Sequence, residues 1–291
     1  MAKSNVIDKQ KKTISRDVGL EIAATCGKYF LKLEHLHYGY WTNDLEINIS
    51  NLHIAQENYT DFLVSHIPDG VKTILDVGCG LGRIAKKLVD MGYQVDCVSP
   101  SPFLSEQAHS LLGDTSRVFE CRYEQLEGEN RYDLILFGES FQYIPLEKAL
   151  EKTLKFLNND GYLLICDFFK KHVKGDKILK GGHKLTKFYE TISHYPFELV
   201  KDLDITDKTA PNLDILDDAM KNVVQPVLHS GLRLLNSRYP LTSKFLQWKY
   251  RKRINKIYEK YLSGAKTSEN FKKFKSYRLF LYKKIDTGTN E

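Results

Sequence analysis

The residues best suited to chemistry lie at positions 74–85, where Asp76 is followed by three alternate glycines, Gly78, Gly80 and Gly82. Apolar residues precede the acid, and a helical pattern of apolar residues follows the last glycine. This order predicts a buried strand, a tight turn and a helix whose first N–H groups face a ligand. Glycine suits such a turn because a Cβ would hold the ligand away from the backbone and disfavour positive φ. We therefore expect a ligand-binding turn here.

The spacing of the glycines indicates which ligand it is. A dinucleotide fingerprint, G-x-G-x-x-G, needs its third glycine at position 83, which is Arg83. An acid two residues before Gly78 would repel a pyrophosphate but attract an ammonium or sulfonium group. The run resembles the first motif of the class I S-adenosylmethionine-dependent methyltransferases, which implies that cofactor and no metal. The alternative is that the glycines serve only tight packing.

Strand and helix alternate after residue 70, as a doubly wound α/β sheet requires. We expect a seven-stranded, mostly parallel, Rossmann-like sheet with an antiparallel last strand. The predicted strands are 73–77, 94–99, 117–120, 132–137, 161–168, 197–204 and 276–284. The predicted helices are 82–91, 103–111, 146–157, 184–194, 214–236 and 242–262, with a turn at 158–161.

The chain is divided into four parts by these elements. Residues 1–70 form a helical arm and cofactor-covering segment, in which a polar arm precedes a short helix at 19–30. Residues 71–204 form the cofactor-binding core. Residues 205–275 form a helical lid inserted before the last strand, since a structureless loop of that length is improbable in a compact domain. Residues 276–291 hold the last strand and a tail.

Ligands of doubly wound sheets lie beyond the carboxyl ends of the strands. The resemblance implies that Asp76 anchors the methionine ammonium and that the Gly78–Gly80 backbone makes room for the cofactor. Ser99 stands where the family usually has an acid that binds the ribose. In carrying a small hydroxyl residue there, the chain resembles cyclopropane-forming and related lipid methyltransferases. Arg122 and Tyr123 stand where the family contacts adenine, through backbone contacts or stacking on Tyr123.

An aromatic cluster at 35–41 resembles the His-Tyr-Gly-Tyr-Trp segment of coclaurine-type N-methyltransferases and cyclopropane synthases. The resemblance implies that its rings lie near the sulfonium, where cation–π attraction would act. Core packing is the rival explanation. The complete set of expected cofactor-binding residues is Tyr38, Tyr40, Trp41, Asp76, Gly78, Cys79, Gly80, Ser99, Pro100, Arg122 and Tyr123.

Three residues are candidates for catalysis. Glu139 follows the fourth predicted strand, in the loop that the resemblance places opposite the transferring methyl group, and Tyr143 lies beside it. An enclosed carboxylate has a raised pKa and could act as a base. His183 follows a double glycine that could place it near the pocket. Helix capping by Glu139 and a structural or solvent-facing role for His183 are the alternatives.

Bulk properties are those of an ordinary globular protein, with 291 residues, 42% hydrophobic and 27% charged. No apolar stretch approaches the ~20 residues of a membrane span, and the N-terminus shows no secretory signal. The five cysteines lack metal-site or paired spacing, so we expect free thiols, no metal and a cytoplasmic location.

Basic residues crowd together within 249–275. Such a run could attract nucleic acid or an anionic membrane. The preferred explanation is the solvated face of a helix, because Tyr250, Ile254 and Tyr258 interleave at helical spacing. We expect no nucleic-acid partner and at most a weak membrane contact.

The expected function is methyl transfer to nitrogen, oxygen or carbon of a small, partly apolar metabolite. One alternative is a lipid-modifying or cyclopropane-synthase-like enzyme at a membrane surface. Cyclopropanation is disfavoured because the Glu-His pair and the later histidine of those enzymes correspond here to Gln142-Tyr143 and Asp167. Another alternative is a non-catalytic partner subunit with the cofactor fold.

Overall fold

One sheet of seven strands forms the centre of the protein, as its computed structural model shows. The strands are β1 (Thr73–Val77), β2 (Gln94–Val98), β3 (Val118–Phe119), β4 (Tyr132–Gly138), β5 (Leu157–Lys170), β6 (Phe197–Asp204) and β7 (Lys275–Lys284). The structure describes residues 2–129, 131–173, 179–261 and 264–286, with only the backbone described at 2–16, 256, 257, 260 and 261.

The strand order is β3-β2-β1-β4-β5-β7-β6. Neighbours from β3 to β5 run parallel, whereas β7 runs antiparallel to both β5 and β6. The expected fold class, a doubly wound and mostly parallel sheet with an antiparallel last strand, is confirmed. The chain leaves β1 toward β2 and later returns to its other side with β4, so a ligand crevice is expected beyond the ends of these strands.

Helices cover both faces of the sheet. They are α1 (Ala2–Leu31), α2 (Leu52–Val64), α3 (Arg83–Asp90), α4 (Pro102–Leu112), α5 (Leu146–Phe156), α6 (Leu185–Ile192), α7 (Thr206–Thr209), α8 (Pro211–Ala219), α9 (Gln225–Arg238), α10 (Pro240–Tyr261) and α11 (Ser268–Phe274). Alternate residues of β1 enter two different apolar clusters, Ile74 on one face and Leu75 and Val77 on the other. Burial on both faces explains the continuous apolar character of the central strands.

Most predicted element bounds agree with the structure, and the exceptions have local causes. The prediction of a polar arm before residue 19 was wrong, because the helix α1 begins at Ala2. The turn predicted at 158–161 lies inside β5, where Asp160 has positive φ and the register with β4 shifts. The predicted helix end at Leu262 and the tail after residue 286 lie outside the described residues.

The helical insertion has two distinct parts. Ile205 donates its N–H to the carbonyl of Tyr277 in β7, and α8 and α11 contribute apolar side chains to the core. A π-helical turn at Met220–Val224 continues α8 into α9. The long helices α9 and α10 instead form a hairpin whose described side chains are mostly exposed. No described residue of 205–275 lines the cavity at the carboxyl ends of β1, β2 and β4, and the role of this insertion as a lid stays a prediction.

Candidate active site

A cavity of about 210 Å³ lies at the carboxyl ends of β1, β2 and β4, at the position where the strand order reverses. Its walls come from the glycine turn, the residues after β2 and β4, and the chain before residue 38. The lining residues are Leu20, Glu34, His35, Leu36, His37, Asp76, Gly78, Cys79, Gly80, Leu81, Arg83, Ile84, Ser99, Pro100, Ser101, Leu104, Gly138, Glu139, Ser140 and Tyr143.

The glycine turn has the backbone that its sequence requires. Gly78, Gly80 and Gly82 all have positive φ, between 56° and 80°. A Cβ on Gly78 would lie 2.4 Å from the Cβ of Ser140, so only glycine lets β1 and β4 approach this closely at their ends. A Cβ on Gly80 would meet open space. The loop therefore leaves room for a ligand against its backbone.

Asp76 is the cavity's least satisfied polar group. Its side chain is 2% exposed, and its Oδ2 has no hydrogen-bond partner among the described residues. Burial raises the pKa of this carboxyl to about 7. A buried carboxylate without a donor is costly, and an ammonium group in the cavity would supply the missing partner. The residue therefore fits the methionine end of S-adenosylmethionine.

Two serine hydroxyls follow β2 on the same cavity. Ser99 is buried, and its Oγ accepts a long hydrogen bond of 3.4 Å from the N–H of Ser101. The Oγ of Ser101 is buried without a partner within the described part of the chain. Pro100 lies between them and also lines the cavity. These hydroxyls suit a polyhydroxylated ligand group such as a ribose.

Glu139 lies directly after β4, in a left-handed conformation with φ of 59°. Its Oε1 accepts hydrogen bonds from the backbone N–H of Tyr38, at 2.6 Å, and from the hydroxyl of Tyr277, at 2.7 Å. Burial raises the pKa of the carboxyl to about 7, although both hydrogen bonds lower it. No described residue donates to Oε2, so this oxygen retains its capacity to accept a proton.

The Glu139 carboxylate ends a line of buried tyrosines. The hydroxyl of Tyr277, in β7, lies 3.1 Å from the hydroxyl of Tyr59 in α2. Tyr59 in turn donates to the carbonyl of Cys166 at 3.2 Å. Burial raises the pKa of both tyrosines well above the usual value, so they act as neutral donors. This arrangement fixes one edge of Glu139 and leaves the other edge facing the cavity.

A second carboxyl lies at the end of β5. Asp167 is 1% exposed and accepts hydrogen bonds from the backbone N–H and the side-chain amide of Gln142, both at 3.0 Å. Burial, with a contribution from the charge of Glu139, raises the pKa of Asp167 to about 8. Because its oxygens have donors, Asp167 is suited to holding the turn at residues 141–143 rather than to accepting a substrate proton.

The chain before Tyr38 closes one side of the cavity. Gln56 in α2 donates its amide to the carbonyls of His35 and His37, at 3.2 and 2.7 Å. The Nδ1–H of His37 donates to the carbonyl of Tyr38, and burial lowers the pKa of His37 to about 3, which keeps the ring neutral. Arg83, at the start of α3, forms a 3.0 Å ion pair with Glu34.

Tyr40 and Trp41 do not line this cavity, so the structure adds no support to their predicted contact with the cofactor. The ring of Tyr40 stacks on Phe62 at 4.7 Å between centroids. Trp41 is buried against Ala55 and Ile215, so it serves packing between α2 and α8. The aromatic cluster holds the covering segment in place, and its neighbours 34–37 form the cavity wall.

The predicted adenine-contact residues, Arg122 and Tyr123, do not line the cavity either. Tyr123 is 2% exposed, with its ring against Phe137 and its hydroxyl 3.2 Å from that of Thr153. Arg122 lies away from the cavity lining and faces Glu124 at 4.0 Å. Tyr123 is therefore a core residue, because β3 is short and the following turn folds its ring inward.

The candidate catalytic residues separate into two groups. Glu139 and Tyr143 both line the cavity, and Tyr143 is 78% exposed at its rim. His183 lies elsewhere, with its Nε2 bonded to the carbonyl of Phe141 at 3.2 Å and its ring against Phe141. Burial lowers the pKa of His183. Its placement gives no support to a catalytic role.

Sequence reasoning missed several cavity residues. His35, Leu36 and His37 line the cavity, whereas the cofactor contacts predicted from the same aromatic segment were Tyr38, Tyr40 and Trp41. Tyr277 gave no signal, because it lies more than 130 residues from Glu139 and reads as an ordinary buried strand residue. Only the pairing of β7 with β5 brings its hydroxyl to the site.

Comparison with known proteins agrees with this geometry. Residues 74–161, which hold the glycine turn and Glu139, match the family described as "Methyltransferase domain". This part of the chain is therefore similar to methyltransferase domains, and the sheet around it has the Rossmann-like methyltransferase fold. Malonyl-[acyl-carrier protein] O-methyltransferase from Anoxybacillus flavithermus is 32% identical over 118 residues, or 39% of this chain and 46% of the relative. The chain spans less than half the length of the first curated relatives it matches.

Another relative matches over a longer stretch at lower identity. Ubiquinone biosynthesis O-methyltransferase from Rickettsia akari is 24% identical over 64% of this chain and 81% of the relative. Among solved structures, geranyl diphosphate methyltransferase with geranyl diphosphate and sinefungin has a TM-score of 0.66, with 17% identity over 90% and 92% of the chains. The [4+2]-cyclase SpnF has a TM-score of 0.61, with 18% identity over 86% and 87% of the chains. These structures share the fold.

Two further observations concern metals and membranes. Within the described ranges, no cluster of three His, Cys, Asp or Glu residues could hold a metal ion. None of the described helices is both long and apolar enough to cross a bilayer.

Proposed function

We propose that this protein transfers a methyl group from S-adenosylmethionine to a nitrogen, oxygen or carbon atom of a small, partly apolar acceptor. The observation that carries the proposal is the pair of carboxyls on one cavity. The Oδ2 of Asp76 is buried without a hydrogen-bond partner in the described structure, whereas the Oε2 of Glu139 receives no hydrogen bond from a described residue. One carboxyl suits the ammonium group of the cofactor, and the other suits the proton that the acceptor loses.

The residues present fit the cofactor. Asp76 would hold the methionine ammonium, and the backbone of Gly78 and Gly80 would allow close approach. Ser99 and Ser101 would accept or donate hydrogen bonds at the ribose. When bound, the cofactor supplies an electrophilic methyl group on a sulfonium. The walls exclude water by placing Leu36 and Leu104 on the cavity.

Glu139 would remove the proton of the acceptor as its new bond to the methyl carbon forms. Its Oε2 takes the proton, while Tyr277 and the N–H of Tyr38 hold Oε1 in place. Because the pKa of Glu139 is about 7, the carboxylate is present near neutral pH and is basic enough to accept a proton. Tyr143, exposed at the rim, would contact the acceptor as it enters.

The test begins with the cofactor and continues with the acceptor. Isothermal titration with S-adenosylmethionine should give saturable heat, and Asp76→Asn should weaken binding by about 100-fold, since a charged hydrogen bond to the ammonium is lost. Asp96→Asn is the matched control, because Asp96 is engaged by Arg117 and lies outside the cavity lining. Absence of heat at millimolar cofactor would refute the proposal.

The acceptor is sought by mass spectrometry of product from panels of phenols, carboxylic acids, amines and isoprenoid metabolites. Glu139→Gln should bind the cofactor within about threefold of the parent and lower kcat by about 100-fold or more for an acceptor that must lose a proton. Tight cofactor binding with no product across all panels would favour a non-catalytic partner subunit instead.

A further inference from the structure

The helical hairpin α9–α10, residues 225–261, carries a concentrated positive charge. Its sequence holds nine Lys and Arg residues and one Glu, a formal charge of +8. The whole chain has a net charge of +6, so the remainder of the protein is slightly negative at −2. The charge is therefore segregated onto one projecting element. Segregation of this kind orients a protein toward an anionic partner.

The same hairpin exposes large apolar side chains. Leu241 is 82% exposed, Trp248 67% and Val227 65%. Others of this kind on the hairpin are Leu228, Leu232, Leu234, Tyr239, Phe245, Leu246, Tyr250, Ile254 and Tyr258. None of the described side chains of α9 is buried. Tyr250, Ile254 and Tyr258, which interleave with the basic run, are among these exposed residues.

The outer face of α10 combines both properties. Asn236 of α9 accepts hydrogen bonds from Ser243 and Gln247, which fixes the face of α10 that meets α9. At about 100° per residue, Leu241, Phe245 and Trp248 lie together on the opposite side. Lys249 lies over the ring of Phe245 at 5.7 Å and extends the charge along this stripe.

We propose that the α9–α10 hairpin docks this protein on an anionic lipid surface. Aromatic and aliphatic side chains at the outer face would enter the headgroup region, and the surrounding Lys and Arg would meet lipid phosphates. A second copy of the chain is disfavoured, because two hairpins of +8 charge repel each other. A nucleic acid would satisfy the charge but would leave the apolar stripe of Leu241, Phe245 and Trp248 in water.

The hairpin is connected through α8 to the segment beside the cofactor cavity. The hairpin continues from α8 through the π-helical turn at Met220–Val224. In α8, Asn212 exchanges two hydrogen bonds with the backbone of Gly39, beside the segment that covers the cavity. The proposal itself does not depend on methyl transfer.

The full chain is tested by flotation with vesicles of phosphatidylglycerol and phosphatidylcholine, and by Trp fluorescence. The protein has two Trp residues, of which Trp41 is buried and Trp248 is exposed. We expect flotation and a blue shift of the emission with anionic vesicles at low salt. Both effects should fall sharply in 0.5 M salt or with phosphatidylcholine alone, since the attraction is electrostatic. Trp248→Phe should remove the shift and retain flotation.

Two variants separate charge from apolar insertion. Lys249→Glu/Lys252→Glu/Arg253→Glu should reduce vesicle affinity by at least about tenfold. Its control, Lys148→Glu/Lys155→Glu/Lys201→Glu, makes the same change in net charge at exposed positions outside the hairpin and should reduce it much less. Leu241→Ser/Phe245→Ser/Trp248→Ser should also abolish stable flotation. Circular dichroism and cofactor titration check that each variant is folded.

Three outcomes would overturn the proposal. The first is no flotation on anionic vesicles at low salt. The second is an equal loss of binding in the two charge-reversed variants, which would indicate attraction by net charge alone. The third is that the parent protein does not bind vesicles but self-associates as its concentration rises, and that the triple-serine variant does not self-associate. This result would assign the hairpin to contact with a second copy of the chain. If the protein floats with anionic vesicles but does not bind S-adenosylmethionine in the titration, only the proposed methyl-transfer function is refuted.

Discussion

At the scale of single residues, the site depends on carboxyls that burial makes weakly acidic. Asp76 and Glu139 have pKa values raised to about 7, in both cases chiefly by burial. They differ in their partners, since Glu139 receives two hydrogen bonds and the Oδ2 of Asp76 receives none among the described residues. The missing partner makes Asp76 the residue whose environment changes most when a cation enters.

Cofactor affinity should depend on pH through Asp76. The carboxylate that binds an ammonium must be deprotonated, so affinity should fall by about tenfold for each pH unit below 7 and level off above it. Titration calorimetry between pH 5.5 and 8.5 measures this dependence. Asp76→Asn should bind weakly at every pH. A parent affinity that stays constant across this range would contradict the prediction.

The same carboxyl should destabilise the free protein at high pH. Because its folded pKa lies above the unfolded value, Asp76 favours folding when protonated, and this contribution is lost as the pH rises through 7. Asp76→Asn should therefore stabilise the free protein at pH 8 by up to about 4 kcal/mol and have little effect near pH 4. Urea unfolding at both pH values tests the sign, and Asp96→Asn serves as the control.

Tyr277 should tune the pKa of Glu139 rather than react itself. Its hydroxyl lowers that pKa, so Tyr277→Phe should move the acid limb of the kcat profile to higher pH. Tyr282→Phe in the same strand is the control, because Tyr282 packs in the opposite apolar cluster. A lower kcat with an unchanged pH profile would assign Tyr277 a purely structural role.

At the scale of elements, the chain at 39–40, next to the cavity wall, is held between the helices α2 and α8. Gly39 lies so close to α2 that a Cβ would stand 2.5 Å from the Cβ of Ala55. The N–H of Tyr40 donates to the carbonyl of Ala55 at 2.7 Å. From the other side, Asn212 of α8 donates to the carbonyl of Gly39 and accepts from its N–H. The cavity wall therefore depends on elements far apart in sequence.

Asn212→Ala should loosen this wall. The backbone groups of Gly39 would remain buried without partners, at a cost of roughly 2 to 4 kcal/mol. We expect lower stability in urea, faster hydrogen exchange at 35–41 and weaker cofactor binding. Asn222→Ala removes an exposed amide that bonds only to Asp218 among the described residues, so it should change none of these quantities. Equal exchange at 35–41 in both variants would contradict this account.

Prediction from sequence succeeded where a pattern is local and failed where a contact is distant. The strand, glycine turn and helix around Asp76 were predicted because backbone conformation and burial there follow from neighbouring residues. The inward direction of the Tyr123 ring does not follow from its neighbours in sequence, because it depends on packing against Phe137 and Thr153. The same holds for the burial of Trp41, since Ile215 lies on a helix more than 170 residues away.

At the scale of the whole molecule, the fold and the reaction are separate questions. A cyclase and a geranyl diphosphate methyltransferase both share this architecture, so the groups on the cavity must decide the chemistry. The α9–α10 hairpin adds a second surface that the core does not require for packing.

Excision of the hairpin should leave a folded core. Replacing residues 222–263 with a short Gly-Ser linker removes few contacts with the sheet, so the melting temperature should change by only a few degrees. Cofactor affinity should stay within about threefold of the parent, while vesicle binding should disappear. Calorimetry and flotation on the same preparation measure both. Loss of cooperative unfolding would show that the hairpin is an integral part of the core.

The sequence by itself determined the class of fold and the position of the ligand turn. Alternating strands and helices and the spacing of Asp76, Gly78 and Gly80 follow from local backbone preference and burial, which neighbouring residues decide. Only the tertiary structure decided that Tyr277 reaches Glu139, that residues 34–37 form the cavity wall, and that α9–α10 stands exposed. Those facts depend on pairings across long sequence separations, where the choice of partner is set by how the whole sheet and its helices pack.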